Sequence, residues 1–121
     1  MHIGNVHIGT CGFSYEEWKT VFYPADLPSN EMLRYYSLVF SFVELDNTWY
    51  RMPNPNQLQR LALITPSDFR ISLKVHRSLT HEIDESWQAK ADEFSIAVSA
   101  LSSTGRLGCV LVQLPYRFSY T

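Results

Sequence analysis

Hydrophobic and polar positions alternate without a break over residues 69–76, and this alternation predicts a β-strand. Its apolar members are Phe69, Ile71, Leu73 and Val75, and its polar members are Arg70, Ser72, Lys74 and His76. Because successive side chains of a strand point to opposite faces, one face is apolar and the other carries ionisable groups. We expect helices to cover the apolar face. The polar face should then border a shared interior, where buried charge is costly and often marks a site.

The rest of the chain shows strand, loop and helix repeated four times, with the last helix absent. The predicted strands are Val6–Gly9, Phe42–Asp46, 69–76 and Leu107–Leu114. The last of these is nearly all apolar, which is typical of a strand buried on both faces. The predicted helices run from an N-cap at Ser29 to about Val39, from Asn54-Pro55 to Thr65, and from Glu85 to Ser103. Gly105 supplies a stop signal for the long third helix, whose predicted apolar stripe includes Trp87.

Alternating strands and helices favour parallel strands joined by right-handed crossovers. An open doubly wound sheet and part of a (βα)₈ barrel both satisfy this pattern. Strands two and three each keep one polar face, which suits a barrel interior better than a sheet covered on both sides. A complete barrel needs about 250 residues, and this chain has 121. The sequence therefore predicts an α/β fold: one partial TIM-barrel domain over residues 1–121, with four strands and three main helices.

Composition narrows the classes of function. The chain is 45% hydrophobic and carries a formal net charge of −2, so it is no disordered segment and has no overall attraction to nucleic acid. No apolar run reaches the roughly 18–20 residues of a membrane span, and the N-terminus does not resemble a signal peptide. Two cysteines make no disulfide framework. We therefore expect a cytoplasmic protein with no membrane partner.

Several stretches match one protein family in order. They are GTCGFSYEEW with VFYP, LRYYSLVFSFVELDNTWYRMP, DFRISLKVHRSLTH and LGCVLVQLP. These stretches resemble the successive signatures of the DUF72 (YecE-like) family, and the resemblance covers nearly the whole chain. It implies a TIM barrel about twice as long, of which this chain matches the N-terminal half. It implies no activity, because the family's function is unknown. A relation to xylose-isomerase-like and endonuclease-IV-like barrels is an analogy of fold.

The family motif also marks individual positions. By position, the motif residues here are Gly9, Thr10, Gly12, Tyr15, Trp18, Glu44, Asn47, Thr48, Tyr50, Arg51, Lys74, Thr80, His81, Gln113, Leu114 and Pro115. Three residues depart from the family or fall where it varies. Cys11 stands where serine is common, Asp46 stands where asparagine is usual, and His76 lies at a variable position. Asp46 adds a negative charge near Glu44. A binding role that the family's residues have at this position therefore cannot simply be assigned to this chain.

Polar side chains collect at the carboxyl ends of the predicted strands, where enzymes on this fold place their sites. The predicted catalytic residues are Glu44, Lys74 and His76, and the predicted substrate-binding residues are Tyr15, Asn47, Tyr50, Arg51, His81 and Gln113. Glu44 would act as general acid or base, and Lys74 as its electrostatic partner or as a binder of a substrate anion. The alternative is a structural ion pair between Glu44 and Lys74.

Other chemistries have weaker support in the sequence. His76 and His81 with a carboxylate could bind zinc or manganese, but no metal-ligand motif occurs, and we assign no metal residue. For the two histidines the alternative is that one caps a loop and the other is a hydrogen-bonding rim residue. Cys11 is either a nucleophile or, as we favour, a small residue that fills a strand end.

A cluster of aromatic residues follows the first two strands. Its members are Phe13, Tyr15, Trp18, Phe22, Tyr23, Trp49 and Tyr50. Such rings could stack on bases or sugars beside Arg51 and Arg77. Alternatively, the loop after the first strand could pack as a lid with its own small core. We favour the second interpretation, because aromatic clusters are more often part of the packing.

The sequence leaves three hypotheses about function. The main one is an uncharacterised enzyme-type barrel that performs hydrolysis or proton transfer on a small polar or phosphorylated substrate. One alternative is a nucleic-acid-binding or processing protein, and another is a non-catalytic truncated fragment. Because half a barrel exposes its edges and its interior face, we also expect self-association or a missing C-terminal half.

Overall fold

Four parallel strands form the main sheet of the computed structural model, which describes residues 2–119. A short antiparallel hairpin, β1 (His2–Ile3) and β2 (Val6–His7), precedes it. The sheet strands are β3 (Gly9–Cys11), β4 (Phe42–Leu45), β5 (Arg70–Lys74) and β6 (Leu107–Leu111). The helices are α1 (Met32–Ser37), α2 (Asn47–Tyr50), α3 (Pro55–Leu63) and α4 (Trp87–Ser102). Single 3₁₀ turns occupy Glu16–Trp18, Ser29–Glu31 and Arg77–Leu79.

The strand order is β3-β4-β5-β6, the same as the order along the chain. Each crossover therefore steps in the same direction, whereas a doubly wound sheet reverses its order at a switch point. Steps in one direction place all the helices on one side of the sheet, as in a TIM barrel. The predicted fold class is confirmed: the chain is an α/β protein that forms about half of a barrel.

The helix-facing side of the sheet carries the core. Val43, Ile71 and Leu73 point toward the helices and are completely buried. The helices contribute buried side chains to the same cluster, among them Leu33, Tyr36, Leu58, Ala62, Phe94, Ala97 and Leu101. At about 25 cal/mol per Å² of apolar surface, this packing is the main stabilising contribution to the fold.

The loop after β3 packs its aromatic residues against α1. Trp18 stacks on Tyr36 with ring centroids 6.5 Å apart, and Phe22 meets Tyr35 edge-on at 5.4 Å. Tyr23 is buried, and its hydroxyl donates a hydrogen bond to the carbonyl of Phe13. These rings belong to the core of the domain, which favours the packing interpretation of this part of the aromatic cluster.

Two predicted boundaries near the N-terminus were wrong. The first sheet strand begins at Gly9, because Val6–His7 pairs with His2–Ile3 in the separate hairpin. Ser29 does not cap a helix that reaches Val39, because it begins a 3₁₀ turn after Pro28. The α-helix itself covers only Met32–Ser37 and has no side-chain cap. Local residue preference marked a helix start here but could not distinguish a 3₁₀ turn from the first turn of an α-helix.

The last strand also departs from the prediction. It ends at Leu111 instead of Leu114, and most of its residues are exposed, so it is not buried on both faces. The physical reason is its place at the edge of the sheet, where no strand among residues 2–119 pairs with its outer side. Trp87 was predicted for the buried stripe of α4 but is exposed, and Phe94, Ala97 and Leu101 form that stripe.

Other local signals were read correctly. Asn54 caps α3 by accepting a hydrogen bond from the Gln57 amide at 3.1 Å, with Pro55 as the first helical residue. Gly105 has φ +76° just after α4, the left-handed conformation that ends a helix and favours glycine. These signals depend only on neighbours in the chain, so sequence alone could identify them.

Candidate functional site

The sheet face opposite the helices, here called the open face, carries a row of polar side chains. Cys11 on β3, Glu44 on β4 and Ser72 on β5 are direct cross-strand partners. Partners in a parallel sheet point to the same side, so the three side chains form one level of the open face. Lys74 lies two residues beyond Ser72 on β5 and therefore shares that face. The face assignments predicted for the strands at Phe42–Asp46 and 69–76 thus placed Glu44 and Lys74 on one common surface.

Two carboxylates approach the thiol of Cys11. Partial desolvation, hydrogen bonding to Asp46 and Glu44, and the negative charge of both residues raise the pKa of Cys11 to about 11. The thiol is therefore protonated near neutral pH and is not an activated nucleophile. It is instead a neutral donor whose single S–H proton is available to Asp46 or Glu44, which agrees with the interpretation of Cys11 as a filler of the strand end.

Tyr15 closes this end of the site. Its hydroxyl donates a 2.5 Å hydrogen bond to the carbonyl of Cys11, and its ring lies 4.8 Å from that of Trp18. Burial and the charge of Asp46 raise the pKa of Tyr15 above its usual value. Gly12 permits this arrangement, because it has φ +81° and a Cβ there would lie 2.5 Å from the Tyr15 hydroxyl. A cleft of about 220 Å³ opens beside Tyr15, Asp46 and Asn47.

Thr48 joins the carboxyl ends of β4 and β5. The oxygen of its buried hydroxyl lies 2.5 Å from the carbonyl oxygen of Lys74 and 3.0 Å from that of Leu45, and its single proton is shared between these two acceptors. One side chain in the short helix α2 therefore holds the two strand ends that carry Glu44 and Lys74. We attribute the relative position of these two residues to this bond together with the strand register.

Trp49 contacts both Lys74 and His81. The Lys74 ammonium is 5.8 Å from the centroid of the indole ring, and the ring of His81 meets the indole edge-on at 5.1 Å. The indole Nε1–H donates to His81 Nδ1 at 3.3 Å. Trp49 was grouped with the aromatic cluster in the sequence but was not chosen as a site residue. The signal that could have identified it is its position three residues after Asp46, in the first turn beyond a strand end.

His76 faces different neighbours. Its Nδ1 accepts a hydrogen bond from the Ser78 amide at 3.2 Å and caps the 3₁₀ turn Arg77–Leu79. Burial, followed by the charges of Arg77 and Lys90, lowers the pKa of His76 below 6.5, so its ring is neutral at pH 7. This capping contact agrees with the alternative that one histidine caps a loop. A catalytic role for His76 stays a prediction.

The remaining predicted residues are spread along the rim. Asn47 lines the cleft beside Tyr15 and also a neighbouring cleft between α2 and α3, which Arg51 lines as well. Tyr50 is 66% exposed, with its ring 4.8 Å from that of Trp49. Gln113 is exposed beyond the end of β6. Within residues 2–119, Glu44 and Lys74 form no ion pair at 4.0 Å or less.

A metal site would need at least three suitable ligands in one place. The described residues contain no group of three or more His, Cys, Asp or Glu side chains that could hold a metal ion. His76 and His81 have separate hydrogen-bonding partners, Ser78 for the first and Trp49 for the second. The same part of the chain contains no helix with the length and apolar character of a membrane span.

The protonation of Cys11 gives a testable prediction. With a pKa of about 11, about one thiol in a thousand is ionised at pH 8, so we expect alkylation by iodoacetamide at least about tenfold slower than for free cysteine. Asp46→Asn removes a negative charge, lowers the pKa and should accelerate the reaction at pH 8. Site-resolved mass spectrometry measures the rate, and Asp92→Asn on α4 is the control. Alkylation of Cys11 as fast as free cysteine would contradict this account.

Comparison with known proteins identifies relatives of this fold and sequence. The sequence pattern of the family described as "Protein of unknown function DUF72" matches residues 7–121. The UPF0759 protein YunF of Bacillus subtilis (strain 168) is 26% identical over 115 residues, which cover 91% of this chain and 40% of YunF.

Two solved structures resemble this one. A DUF72 family protein from Thermotoga maritima MSB8 is 32% identical with a TM-score of 0.78, and the match covers 95% of this chain and 46% of that protein. A DUF72 family protein from Enterococcus faecalis V583 has a TM-score of 0.76 at 20% identity, a likeness of fold. This chain spans less than half the length of each of these relatives.

Proposed function

Because this chain belongs to the DUF72 family of proteins of unknown function, we propose an activity from its own site: acid–base catalysis on a small polar substrate, by hydrolysis or proton transfer. The observation that carries the proposal is the approach of Glu44 and Asp46 to one thiol at the carboxyl ends of the strands, with Lys74 on the same face. Paired carboxylates at this rim are the groups that such chemistry requires.

The residues take distinct roles in this proposal. Glu44 moves the proton, Asp46 sets the local negative charge, and Lys74 binds an anionic group of the substrate or of the transition state. Tyr15 and Asn47 line the cleft beside Asp46 and orient the substrate by hydrogen bonds. The remaining predicted substrate-binding residues, Tyr50, Arg51, His81 and Gln113, would contact more distant parts of it.

The alternatives have less support. Arg77 pairs with Glu82 at 3.4 Å and is therefore partly neutralised as a phosphate contact. Most rings after β3 pack in the core instead of forming a stacking surface. Of the described aromatic and arginine residues predicted for a nucleic-acid interface, those outside the core and not paired with Glu82 include Tyr50 and Arg51. Retention of an oligonucleotide that falls steeply with salt would favour that interface. We also propose the cytoplasm as the location, a compartment in which the free thiols Cys11 and Cys109 would stay reduced.

The test of the catalytic proposal uses chromogenic esters, phosphates and glycosides of p-nitrophenol. For any substrate that is turned over, we expect Glu44→Gln to lower the rate by about 10²–10⁴-fold, the usual contribution of a general acid or base. Glu93→Gln on the exposed side of α4 is the matched control and should leave the rate unchanged. Turnover that survives Glu44→Gln would refute the role of Glu44. No turnover across the series would refute the hydrolytic form of the proposal and favour a non-catalytic fragment.

A further inference from the structure

We infer that Lys74 and His81 form a binding subsite for a small oxyanion, a phosphate or carboxylate group, and that Trp49 positions His81 for this task. The inference rests on the proposed function only in assigning that oxyanion to the substrate of the Glu44 site. The binding subsite itself follows from the hydrogen bonds and charges around Trp49.

The first step is the tautomer of His81. The indole N–H of Trp49 can only donate a hydrogen bond, and it points at Nδ1 of His81 at 3.3 Å. Nδ1 must therefore be the acceptor, and the ring proton of neutral His81 is on Nε2. The hydroxyl of Thr80, a buried residue, lies 2.8 Å from the same Nδ1 and can donate to it as well. Because a hydroxyl can donate or accept, Thr80 fits this tautomer without selecting it, and the Trp49 indole makes the selection.

The second step is the direction of the donor that this tautomer creates. His81 is half-buried and lines a hollow together with Pro115, Tyr116 and Arg117. In the described part of the chain, no hydrogen bond involves His81 Nε2. The Nε2–H group is therefore a fixed donor at the rim that is available to a ligand.

The third step is the charge beside it. Lys74 lies at the end of a central strand, with its ammonium over the Trp49 ring, and no carboxylate of residues 2–119 lies within 4.0 Å of it. A half-buried ammonium on a sheet face is stabilised by an anion. Lys74 and His81 contact the same indole ring, and neither the ammonium nor the Nε2–H group has an acceptor among the described residues. An oxyanion bound next to Trp49 would accept from both, and Arg117 lines the same hollow as His81 and adds a positive charge there.

The test is a titration of the ¹⁵N-labelled protein with inorganic phosphate and, separately, with acetate, followed by NMR. Long-range ¹H–¹⁵N spectra report the tautomer of His81 directly, and we expect Nε2–H before any ligand is added. Either anion should shift the signals of His81 and Lys74, and the tighter anion identifies the group that the subsite prefers. Lys74→Met should abolish saturable binding, whereas Lys90→Met on α4 should not.

Trp49→Phe tests the positioning role. This change keeps an aromatic ring but removes the N–H donor, so we expect a mixture of His81 tautomers and anion affinity about threefold to tenfold weaker, the usual effect of one hydrogen bond. Trp87→Phe, at an exposed tryptophan of α4, is the matched control. Thr80→Val should have a smaller effect in the same direction.

Two results would overturn the inference. One is the Nδ1–H tautomer in the unmodified protein, a measurement that needs no variant. The other is anion binding that His81→Phe and Trp49→Phe leave unchanged. Glu44→Gln separates this inference from the proposed function, because it should abolish turnover but keep anion binding. If the protein binds the anion but Glu44→Gln does not change turnover, only the catalytic proposal is refuted. If turnover depends on Glu44 but no anion binds at Lys74 and His81, only the subsite is refuted.

Discussion

At micromolar concentration the 121-residue chain is expected to sediment as an assembly of at least two copies, well above the 14.0 kDa of one chain. The outer edges of β3 and β6 have no strand partner among residues 2–119. Exposed apolar side chains flank these two strands, namely Val6, Ile8, Leu111, Val112, Leu114, Tyr116 and Phe118. Open edges beside exposed apolar surface promote association, and four strands are half of the eight that close a barrel.

A pair of matched substitutions tests whether these edges cause the association. Val112→Lys places a charge beside the outer edge of β6, at a residue that is 59% exposed, and should weaken self-association by about tenfold, the equivalent of one buried valine. Ile96→Lys alters a side chain of equal exposure, 61%, on α4 and should leave association unchanged. Sedimentation velocity with a reductant present excludes disulfide-linked dimers through Cys11 or Cys109. A well-folded monomer across the micromolar range would refute the expectation.

The largest loss of stability from a single atom is expected for Tyr36→Phe. The Tyr36 side chain is completely buried, and its hydroxyl accepts from the Thr10 amide at 2.7 Å and donates to the Phe42 carbonyl at 2.8 Å. Removing the oxygen deprives both backbone groups of this partner at the junction of β3, β4 and α1. We expect a loss of about 2–3 kcal/mol in the free energy of unfolding and a melting temperature lower by about 8–12 °C.

Thermal unfolding at one fixed protein concentration measures this effect, because association also contributes to apparent stability. Tyr50→Phe is the control, since that residue is 66% exposed and its hydroxyl can bond to water. Its melting temperature should stay within about 2 °C of the unmodified protein. Equal effects of the two substitutions would show that the Tyr36 hydroxyl does not join the strands to the helix.

Local patterns were read correctly where neighbours in the chain decide the outcome. The alternation in β5 predicted that Ile71 and Leu73 enter the core, because a strand separates odd and even positions. Ser72 on the opposite face is buried as well, because its hydroxyl packs against Cys109 of β6. The cap at Asn54 and the stop at Gly105 likewise depend on adjacent residues. The prediction that the last strand is buried on both faces was wrong. Its apolar composition indicates that its side chains favour burial, but only the strand order of the sheet shows that β6 lies at an edge.

The candidate site was predicted in part for the same reason. Glu44 and Lys74 were placed on one face by counting along their strands, and Tyr15 was placed at the rim by its motif position. The contacts of Trp49, Thr48 and Asp46 could not be read from the sequence, because each joins segments far apart in the chain. The Trp49–His81 bond, for example, spans 32 residues.

Periodicity, chain order and the family motifs were enough to predict the family, the parallel α/β architecture and the face on which charged groups collect. They could not predict which charged groups meet, because packing of distant segments sets those contacts. The tertiary structure brought two carboxylates to the Cys11 thiol and set the His81 ring against Trp49, while His76 came to cap a turn. The physical reason is that pKa shifts and hydrogen bonds depend on distances of a few ångströms between side chains, and chain packing alone sets those distances.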